Sequence, residues 1–340
     1  MVRFRKVLFL VISFIISFVT LFSIISLTMT QETFDIFKRI NIFYLLLAIT
    51  FHITAWLIWS TRLKVMSDFI GKGRNGYNLK IRNSVKIILV DYFAASITPS
   101  QFGGEFIRIY LLSNNGLSIG DSTVVVIGER ILDFFVIVTG GIISFIIFRE
   151  ILPHDNILYS VFTWLSVVLL IFIIFVSYFL LNPDKFKKFV ELFLFRIIKF
   201  RRFEGLRDRI LVEFKNFCHS LDRFKYEGKR VLGIALILTI LFWITEFSLI
   251  SLILVGFGEN PMWMYSVAAQ FIIAMVMSLP VTPGSSGIAE ISFAYIFSFI
   301  VSSSLLGILT LTWRLIMFYL NLTVGAIASI KIIGEIFNRS

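Results

Sequence analysis

The sequence predicts an all-α polytopic membrane protein with six full spans and two broken-helix hairpins, arranged as an inverted repeat. Hydrophobic residues make up 58% of its 340 residues, and only 16% are charged. A soluble domain of this length could not bury that much apolar surface, so the surrounding medium must largely be lipid. The second observation is a series of apolar stretches of bilayer length, and the third is a motif around Thr-Pro that occurs twice.

Six of the apolar stretches predict uninterrupted spans: residues 7–29, 40–60, 123–148, 157–181, 231–255 and 303–330. The first is too long for a signal peptide and lacks a small-residue cleavage site, so we expect it to be retained.

Two further stretches, 87–112 and 262–300, each contain a Pro near the middle and a Gly a few residues later. Proline removes a backbone donor and clashes with the preceding turn, so each helix should break there. Each stretch therefore predicts a hairpin of two half-helices, either re-entrant or crossing the membrane. Irregular backbone at that depth requires a cover of protein or a watery cavity.

Basic residues predict the orientation. Residues 62–86 carry seven basic side chains against one acidic, and residues 182–230 carry fourteen against seven. The links 31–39, 149–156 and 256–261 are neutral or slightly acidic. Six spans and two returning hairpins bring every basic segment to one face, which we assign to the cytoplasmic side of the plasma membrane, with both termini. Residues 184–226 predict an amphipathic helix on that face, broken at Gly205, that anchors to the leaflet or gathers anionic head groups.

The two Thr-Pro pairs are separated by 184 residues (282 − 98), and other residues recur at that offset. This recurrence predicts a duplication with halves at about 40–148 and 231–330 inside one transmembrane domain, 1–340. Three full spans separate equivalent helices, so the halves should be inverted, as in transporters that alternate access. A duplication that built only a stable bundle is the alternative. The recurring pairs are Trp59 and Trp243, Gly103 and Gly287, Arg130 and Arg314, Phe134 and Phe318, Thr139 and Thr323, and Gly141 and Gly325.

The turns that follow the two prolines predict anion-binding sites. Each opens a half-helix, where unpaired N–H groups and the positive end of the dipole gather and glycines admit a phosphate. Serine hydroxyls there would donate to the anion or cap the helix. The candidate residues are Thr98, Pro99, Ser100, Gly103, Thr282, Pro283, Gly284, Ser285, Ser286 and Gly287.

Charged residues inside the apolar stretches are a second indication, because burying one costs roughly 2.5–3.5 kcal/mol on insertion scales. Arg130 and Arg314 are the preferred head-group ligands, since a guanidinium holds phosphate through two parallel bonds. Alternatively, Arg130 pairs with Glu105 and Arg314 with Glu290, locking each hairpin to the next helix. The residues expected to balance charge or carry a coupling proton are Glu105, Glu129, Asp133, Glu246 and Glu290.

Composition also excludes function classes. One cysteine, Cys218, and three histidines without ligand spacing predict neither a disulfide nor a metal site. A net charge of +11 in so apolar a chain favours anionic lipid over nucleic acid. We expect no cofactor and, without a visible nucleophile–base pair, no enzymatic activity.

In order and spacing, two sets of residues resemble the signatures of the lysylphosphatidylglycerol synthase transmembrane family over nearly the whole chain. One departure is Ser100-Gln101, where the family often has a Gly-Arg pair. The first set is Ile97-Thr98-Pro99, Gly103, Glu105, Arg108, Glu129-Arg130 and Asp133, and the second is Leu279-Pro280-Val281-Thr282-Pro283-Gly284, Gly287, Glu290 and Arg314.

The resemblance implies a membrane module that translocates lipids, joined in some members to a soluble domain that makes aminoacyl-phosphatidylglycerol. Because the last span ends close to Ser340, we expect a stand-alone member without the synthase domain. The hypothesis is a transporter of a phospholipid, aminoacyl-phospholipid or polyprenyl-phosphate-linked lipid, with membrane lipids and lipid-modifying or glycosylation enzymes as partners. Secondary transport of a small soluble anion and a non-transporting accessory role in a lipid- or glycan-modification complex are the alternatives.

Overall fold

A computed structural model describes residues 2–72, 77–98, 102–148, 204–278 and 284–337, together with isolated positions between 160 and 185. The regular secondary structure of these residues is helical. In chain order the helices are α1 (Val2–Thr28), α2 (Gln31–Arg39), α3 (Ile42–Gly71), α4 (Ile81–Ser96), α5 (Phe102–Asn114), α6 (Ile119–Phe148), α7 (Glu204–Glu227), α8 (Lys229–Phe247), α9 (Leu249–Gly256), α10 (Trp263–Met277), α11 (Ile288–Phe297), α12 (Ser303–Arg314) and α13 (Asn321–Phe337), with a π-helical segment at Leu315–Leu320.

Four helical stretches of the described residues are long and apolar enough to cross a membrane: Ile42–Gly71, Ile119–Phe148, Lys229–Gly256 and Ser303–Ile332. Large apolar side chains such as Phe18, Ile146 and Ile330 are exposed on the outside of the bundle, where lipid would cover them. The chain is therefore a multi-pass helical membrane protein. The predicted span 157–181 lies almost entirely outside the described residues.

Helix α2 occupies a segment that we predicted as a link. It leaves α1 at an angle of 106°, and its first turn is capped at Thr30. Thr33 packs inward and donates from Oγ1 to the Ser304 carbonyl at 2.8 Å, while Phe34 and Phe37 are exposed. Helix α2 therefore lies across the start of α12, with aromatic rings pointing away from the protein.

The prediction that the second span ends at residue 60 was wrong. Helix α3 continues to Gly71, so Arg62, which we had counted among the loop cations, lies within the helix with its side chain 1% exposed. A hydropathy window stops at a charged residue, but two carboxylates of α6, Glu129 and Asp133, pair with this one.

Each interrupted apolar stretch contains two helices that pack on each other, α4 with α5 and α10 with α11. The two hairpins meet at their tips, because the Gly284 N–H donates to the Thr98 carbonyl at 3.3 Å. A Cβ at Gly284 would lie 2.7 Å from the Ser96 carbonyl, and its φ of +57° also favours glycine. This close approach needs a residue without a side chain.

The same helix contacts recur in both halves. Helix α6 packs on α10 through Gly141, which lies against Met275, and α13 packs on α4 through Gly325, which lies against Leu89 and Phe93. The stretches Ile119–Phe148 and Ser303–Ile332 differ by 184 residues at both ends (303 − 119 and 332 − 148). The two helical stretches and the two glycine contacts are thus each 184 residues apart.

Helices α3 and α8–α9 pack antiparallel. The Asn41 N–H at the start of α3 donates to the Gly256 carbonyl at the end of α9, at 2.7 Å. At the other end of the contact, Arg62 of α3 donates to Thr239 of α8 at 2.8 Å. Residue numbers thus rise along one helix as they fall along the other.

Helix α7 forms the described part of the predicted amphipathic segment, and the remainder lies outside the described residues. Its Glu213 carboxylate accepts from the Gly120 N–H at 2.7 Å, and Ser220 donates to Asp121 at 2.5 Å. Since Gly120 and Asp121 belong to the first turn of α6, a negative side chain lies where the unpaired N–H groups of that helix collect.

Candidate functional site

A cavity of about 500 Å³ lies next to the hairpin tips, lined by residues between 59 and 137 and between 242 and 321. Ser96, Ser278 and Gly284, which flank the two Thr-Pro turns, line one part of it. Its walls are largely aromatic and aliphatic, including Trp243 and Phe318. The charged side chains of the described residues that reach it are Asp91, Glu105, Arg130, Asp133, Glu246 and Arg314.

Arg130 is the more accessible of the two predicted head-group ligands. Its guanidinium forms an ion pair with Glu105 of α5, yet 38% of the side chain remains exposed. The second carboxylate oxygen of Glu105, Oε2, is buried and has no hydrogen-bond partner among the described residues. The pair therefore joins α5 to α6 while leaving hydrogen-bonding capacity on both side chains.

Arg314 lies in a tighter environment. Its Nε donates to Glu290 Oε1 at 2.7 Å, Nη2 donates to Ser286 at 3.3 Å, and the Phe318 ring lies 4.1 Å from the guanidinium carbon. The side chain is 2% exposed. Glu290 also accepts from Ser17 of α1 at 2.5 Å. Helix α1 thus supplies a second donor to the same carboxylate oxygen that Arg314 contacts.

Both arginines thus form the ion pairs that we gave as the alternative to head-group binding, and both also line the cavity. In the second half, Glu290 Oε2 accepts from the Gly287 N–H at 2.7 Å, so the carboxylate caps the start of α11. In the first half, Thr98 Oγ1 accepts from the Gly103 N–H at 3.0 Å. These contacts satisfy N–H groups that we had offered to an anion.

The turns themselves are described in part. Ser285 has a φ of +53°, strained for a residue with a side chain, and its hydroxyl donates to the Met277 carbonyl at 3.3 Å. Ser286 is buried against Arg314. Pro99, Ser100, Thr282 and Pro283 lie outside the described residues.

A buried network holds Arg62 and Arg108. Arg62 donates to Glu129 at 3.0 Å and to both oxygens of Asp133, at 2.7 and 3.0 Å. Arg108 donates to the other oxygen of Glu129 at 2.6 Å and lies 2.9 Å from Asp91. Glu129 therefore bridges two guanidinium groups and ties α3, α5 and α6 together. Removing any member would leave a buried charge without its partner.

The sequence did not identify Arg62 or Asp91 as site residues. One signal for Arg62 was available, because residue 62 plus the repeat offset of 184 gives Glu246, which we had already selected. Asp91 has no such signal, since its equivalent is Met275.

A second polar cluster joins the two halves around His52. Its Nδ1 lies 2.9 Å from Glu246 Oε2, and its Nε2 lies 3.0 Å from Asn321 Oδ1. Trp56 Nε1 donates to the same Asn321 oxygen at 3.0 Å. His52 is buried on α3, Glu246 lies on α8, and Asn321 opens α13. We had considered the histidines only as metal ligands, and this contact between halves escaped the sequence analysis.

Comparison with known proteins finds one family model and one membrane protein that this chain resembles. A family model described as the lysylphosphatidylglycerol synthase TM region matches residues 10–325. A UPF0104 membrane protein from Archaeoglobus fulgidus is 31% identical over 317 residues, which cover 88% of this chain and 90% of that protein. The matched range of the family model contains both hairpins and every residue that lines the cavity.

Proposed function

This chain belongs to the lysylphosphatidylglycerol synthase transmembrane family, and we propose that it moves a lipid with an anionic or otherwise charged head group between leaflets by alternating access. The family links the protein to lipid handling. The observation that carries the proposal is a cavity in an apolar bundle that both Arg130 and Arg314 reach, beside the tips of two opposed hairpins. The proposed cargo is a phospholipid, an aminoacyl-phospholipid or a polyprenyl-phosphate-linked lipid.

A phosphate can enter this cavity by exchanging with a carboxylate. At Arg130 the incoming phosphate competes with Glu105 for the guanidinium, and a two-bond phosphate contact replaces the ion pair. Arg130 is 38% exposed whereas Arg314 is 2% exposed, so one arginine is accessible while the other is closed. This difference is what we expect of one state in a cycle that opens the two halves in turn.

The packing supports an inverted arrangement of the halves. Equivalent helices α3 and α8–α9 pack antiparallel, which a two-fold axis in the membrane plane requires. We extend the repeat to the surface helices, because α2 contacts Ser304 and α7 contacts Gly120, two positions that differ by the same 184 residues (304 − 120). Each half then consists of a surface helix, a span, a hairpin and a second span.

The proposed orientation places both termini and α7 on the cytoplasmic side of the plasma membrane. The excess of Lys and Arg in residues 182–230, fourteen against seven acidic residues, supports it. On this orientation the α4–α5 hairpin enters from the cytoplasm and the α10–α11 hairpin from outside.

The proposal is tested by reconstitution into phosphatidylcholine liposomes that contain a tail-labelled phosphatidylglycerol or a labelled polyprenyl phosphate. We expect leaflet exchange to accelerate for at least one of these lipids. Arg130→Ala and Arg314→Ala should slow it by at least tenfold, since losing a charge-assisted contact worth about 1.5–3 kcal/mol changes a rate by about ten- to hundredfold. Lys38→Ala removes an exposed cation from α2 and serves as the matched control.

Two outcomes would contradict the proposed lipid transport, and another would contradict the proposed role of the arginines. Uptake of labelled inorganic phosphate without lipid exchange would establish the soluble-anion alternative instead. Exchange that survives both arginine substitutions, with a lowered melting temperature, would make the arginines structural. Absence of exchange for every lipid tried, with the protein folded, would favour the accessory role.

A further inference from the structure

The His52–Glu246 contact differs from the other carboxylate contacts of the cavity because the basic partner is a histidine and not an arginine. Of the carboxylates that line the cavity, Asp91, Glu105 and Asp133 each face an arginine. Arginine stays charged in proteins, so those carboxylates keep a permanent counter-ion. Glu246 instead faces a histidine, whose charge changes near neutral pH.

Hydrogen-bond geometry fixes one proton of this cluster. Trp56 Nε1 is solely a donor, so the Asn321 atom that it faces must be the amide oxygen. The amide nitrogen of Asn321 donates to the Met317 carbonyl at 2.7 Å, in agreement with that assignment. His52 Nε2 faces the same oxygen at 3.0 Å and must therefore carry a proton.

The proton shared by the other ring nitrogen, Nδ1, and Glu246 can then occupy either of two positions. His52 Nδ1 and Glu246 Oε2 lie 2.9 Å apart, both buried. If Nδ1 carries a proton, the pair is imidazolium and carboxylate. If Oε2 carries it, the pair is neutral imidazole and carboxylic acid. In either state one proton lies between the two atoms, and without it two acceptors would face each other away from solvent, which is costly.

We propose that the His52–Glu246 pair is a binding site for one coupling proton and that its occupancy sets the rate of head-group passage. This inference rests on the proposed function. On release the proton leaves through Glu246, which lines the cavity, while His52 keeps its Nε2 proton. The pair then changes from net neutral to a charge of −1.

Two physical consequences follow from that change in charge. A negative charge in the cavity wall repels an anionic head group that approaches Arg314. Repulsion between the facing acceptors also weakens the contact of α3 with α8, where the two halves meet. The repulsion of the anionic head group makes lipid movement slower as the pH rises.

Other ionisable groups lie around this pair. Tyr92 of α4 lies beside it, with its ring centroid 6.5 Å from that of His52. The charged groups that border the same cavity from the packed elements are Asp91 on α4, Glu105 on α5, Arg130 and Asp133 on α6, and Arg314 on α12, with Arg62 further along α3.

The test measures the pH profile of leaflet exchange for tail-labelled phosphatidylglycerol in liposomes. Between about pH 5 and about pH 8, the wild-type rate should fall at least about fivefold, the lower end of typical coupling between sites. Glu246→Gln carries a permanent N–H donor toward His52 Nδ1 and mimics the protonated pair, so its profile should be flat and high. Trp56→Phe removes a hydrogen bond to the same Asn321 without removing a titrating group, so its profile should keep the wild-type slope.

A second measurement does not depend on transport. ¹⁵N-histidine NMR of the wild-type protein in nanodiscs should show the His52 Nδ1 shift changing over the same pH range, because Nδ1 loses either its own proton or the hydrogen bond from protonated Glu246. His52→Gln identifies the signal. A His52 signal that stays constant would overturn the inference, and so would a Glu246→Gln profile with the wild-type slope. Absence of lipid exchange at every pH would refute the proposed function, while the NMR titration would still decide whether the pair binds a proton.

Discussion

At the scale of single residues, the buried and half-buried arginines of the bundle differ in how completely carboxylates surround them. Arg62 contacts two carboxylates and a hydroxyl, whereas Arg130 has one carboxylate and open cavity on its other side. A fully surrounded guanidinium holds helices together, and one with spare donors can accept a ligand. Arg62 therefore belongs to a structural group, whereas Arg130, with one carboxylate partner and a free side toward the cavity, can bind a ligand.

Replacing Arg62 tests the structural group. We expect Arg62→Met to destabilise the protein by about 3–5 kcal/mol, because Glu129 and Asp133 would lose a buried partner. Arg62→Lys should also destabilise it, because an ammonium cannot reproduce the fork that contacts three side chains. Thermal unfolding in detergent measures both, with Lys38→Met on the surface as the control. An unchanged melting temperature for Arg62→Met would show that the network does not stabilise the fold.

At the scale of helices, the positions of the two helix breaks could be predicted from the sequence, whereas the end of α3 could not. Proline marked both interruptions, and the half-helices α4, α5, α10 and α11 lie on either side of them, because a missing donor and a steric clash act locally. The end of α3 depends on carboxylates of α6 that lie 67 residues or more away in sequence. No local pattern contains that information.

The site was predictable to a similar extent. Arg130 with Glu105 and Arg314 with Glu290 followed from charge placed inside apolar stretches. His52 and Asn321 did not, because each is unremarkable within its own helix and gains its role from contact with the other half. The π-helical segment at Leu315–Leu320, which follows Arg314, also has no counterpart in the equivalent part of α6.

Glycine packing allows a test at this scale. A Cβ at Gly325 would lie 2.5 Å from the Leu89 carbonyl oxygen, a backbone atom, whereas the nearest atoms at Gly141 belong to the flexible Met275 side chain. We expect Gly325→Ala to destabilise the protein by about 1–3 kcal/mol, as overpacking does, and Gly141→Ala to cost less.

Gly233 of α8 supplies the matched control, because nothing lies within 4 Å of its ideal Cβ. Gly233→Ala should be neutral or should stabilise the helix by up to about 1 kcal/mol. Melting temperatures of the three variants, measured in one detergent, rank their losses of stability directly. A larger loss at Gly141 than at Gly325 would contradict the packing described between α13 and α4.

At the scale of the whole molecule, a two-fold axis in the membrane plane requires the halves to be inverted, and the antiparallel contact of α3 with α8–α9 is the part of that arrangement open to direct measurement. The start of α3 meets the end of α9 at Asn41 and Gly256, while Gly228 precedes the opposite end of α8. A Cβ at Gly256 would lie 3.2 Å from Leu45 Cδ2, so a cysteine there needs only a small shift of the end of that flexible side chain.

The prediction uses paired cysteines after Cys218→Ser removes the native thiol. Asn41→Cys with Gly256→Cys should form a disulfide on mild oxidation, because neighbouring backbones joined by a hydrogen bond bring Cα atoms within disulfide range. Asn41→Cys with Gly228→Cys should not, because these positions lie at opposite ends of the contact.

Labelling of the single variants completes this test. A membrane-impermeant maleimide added to intact cells should label the Asn41→Cys variant, and it should label the Gly228→Cys variant only after lysis. This difference follows because the basic segment before α8 faces the cytoplasm in our orientation. Cross-linking of the second pair, or labelling of both variants from one side, would place equivalent helices parallel and leave no two-fold axis in the membrane plane to exchange the hairpins.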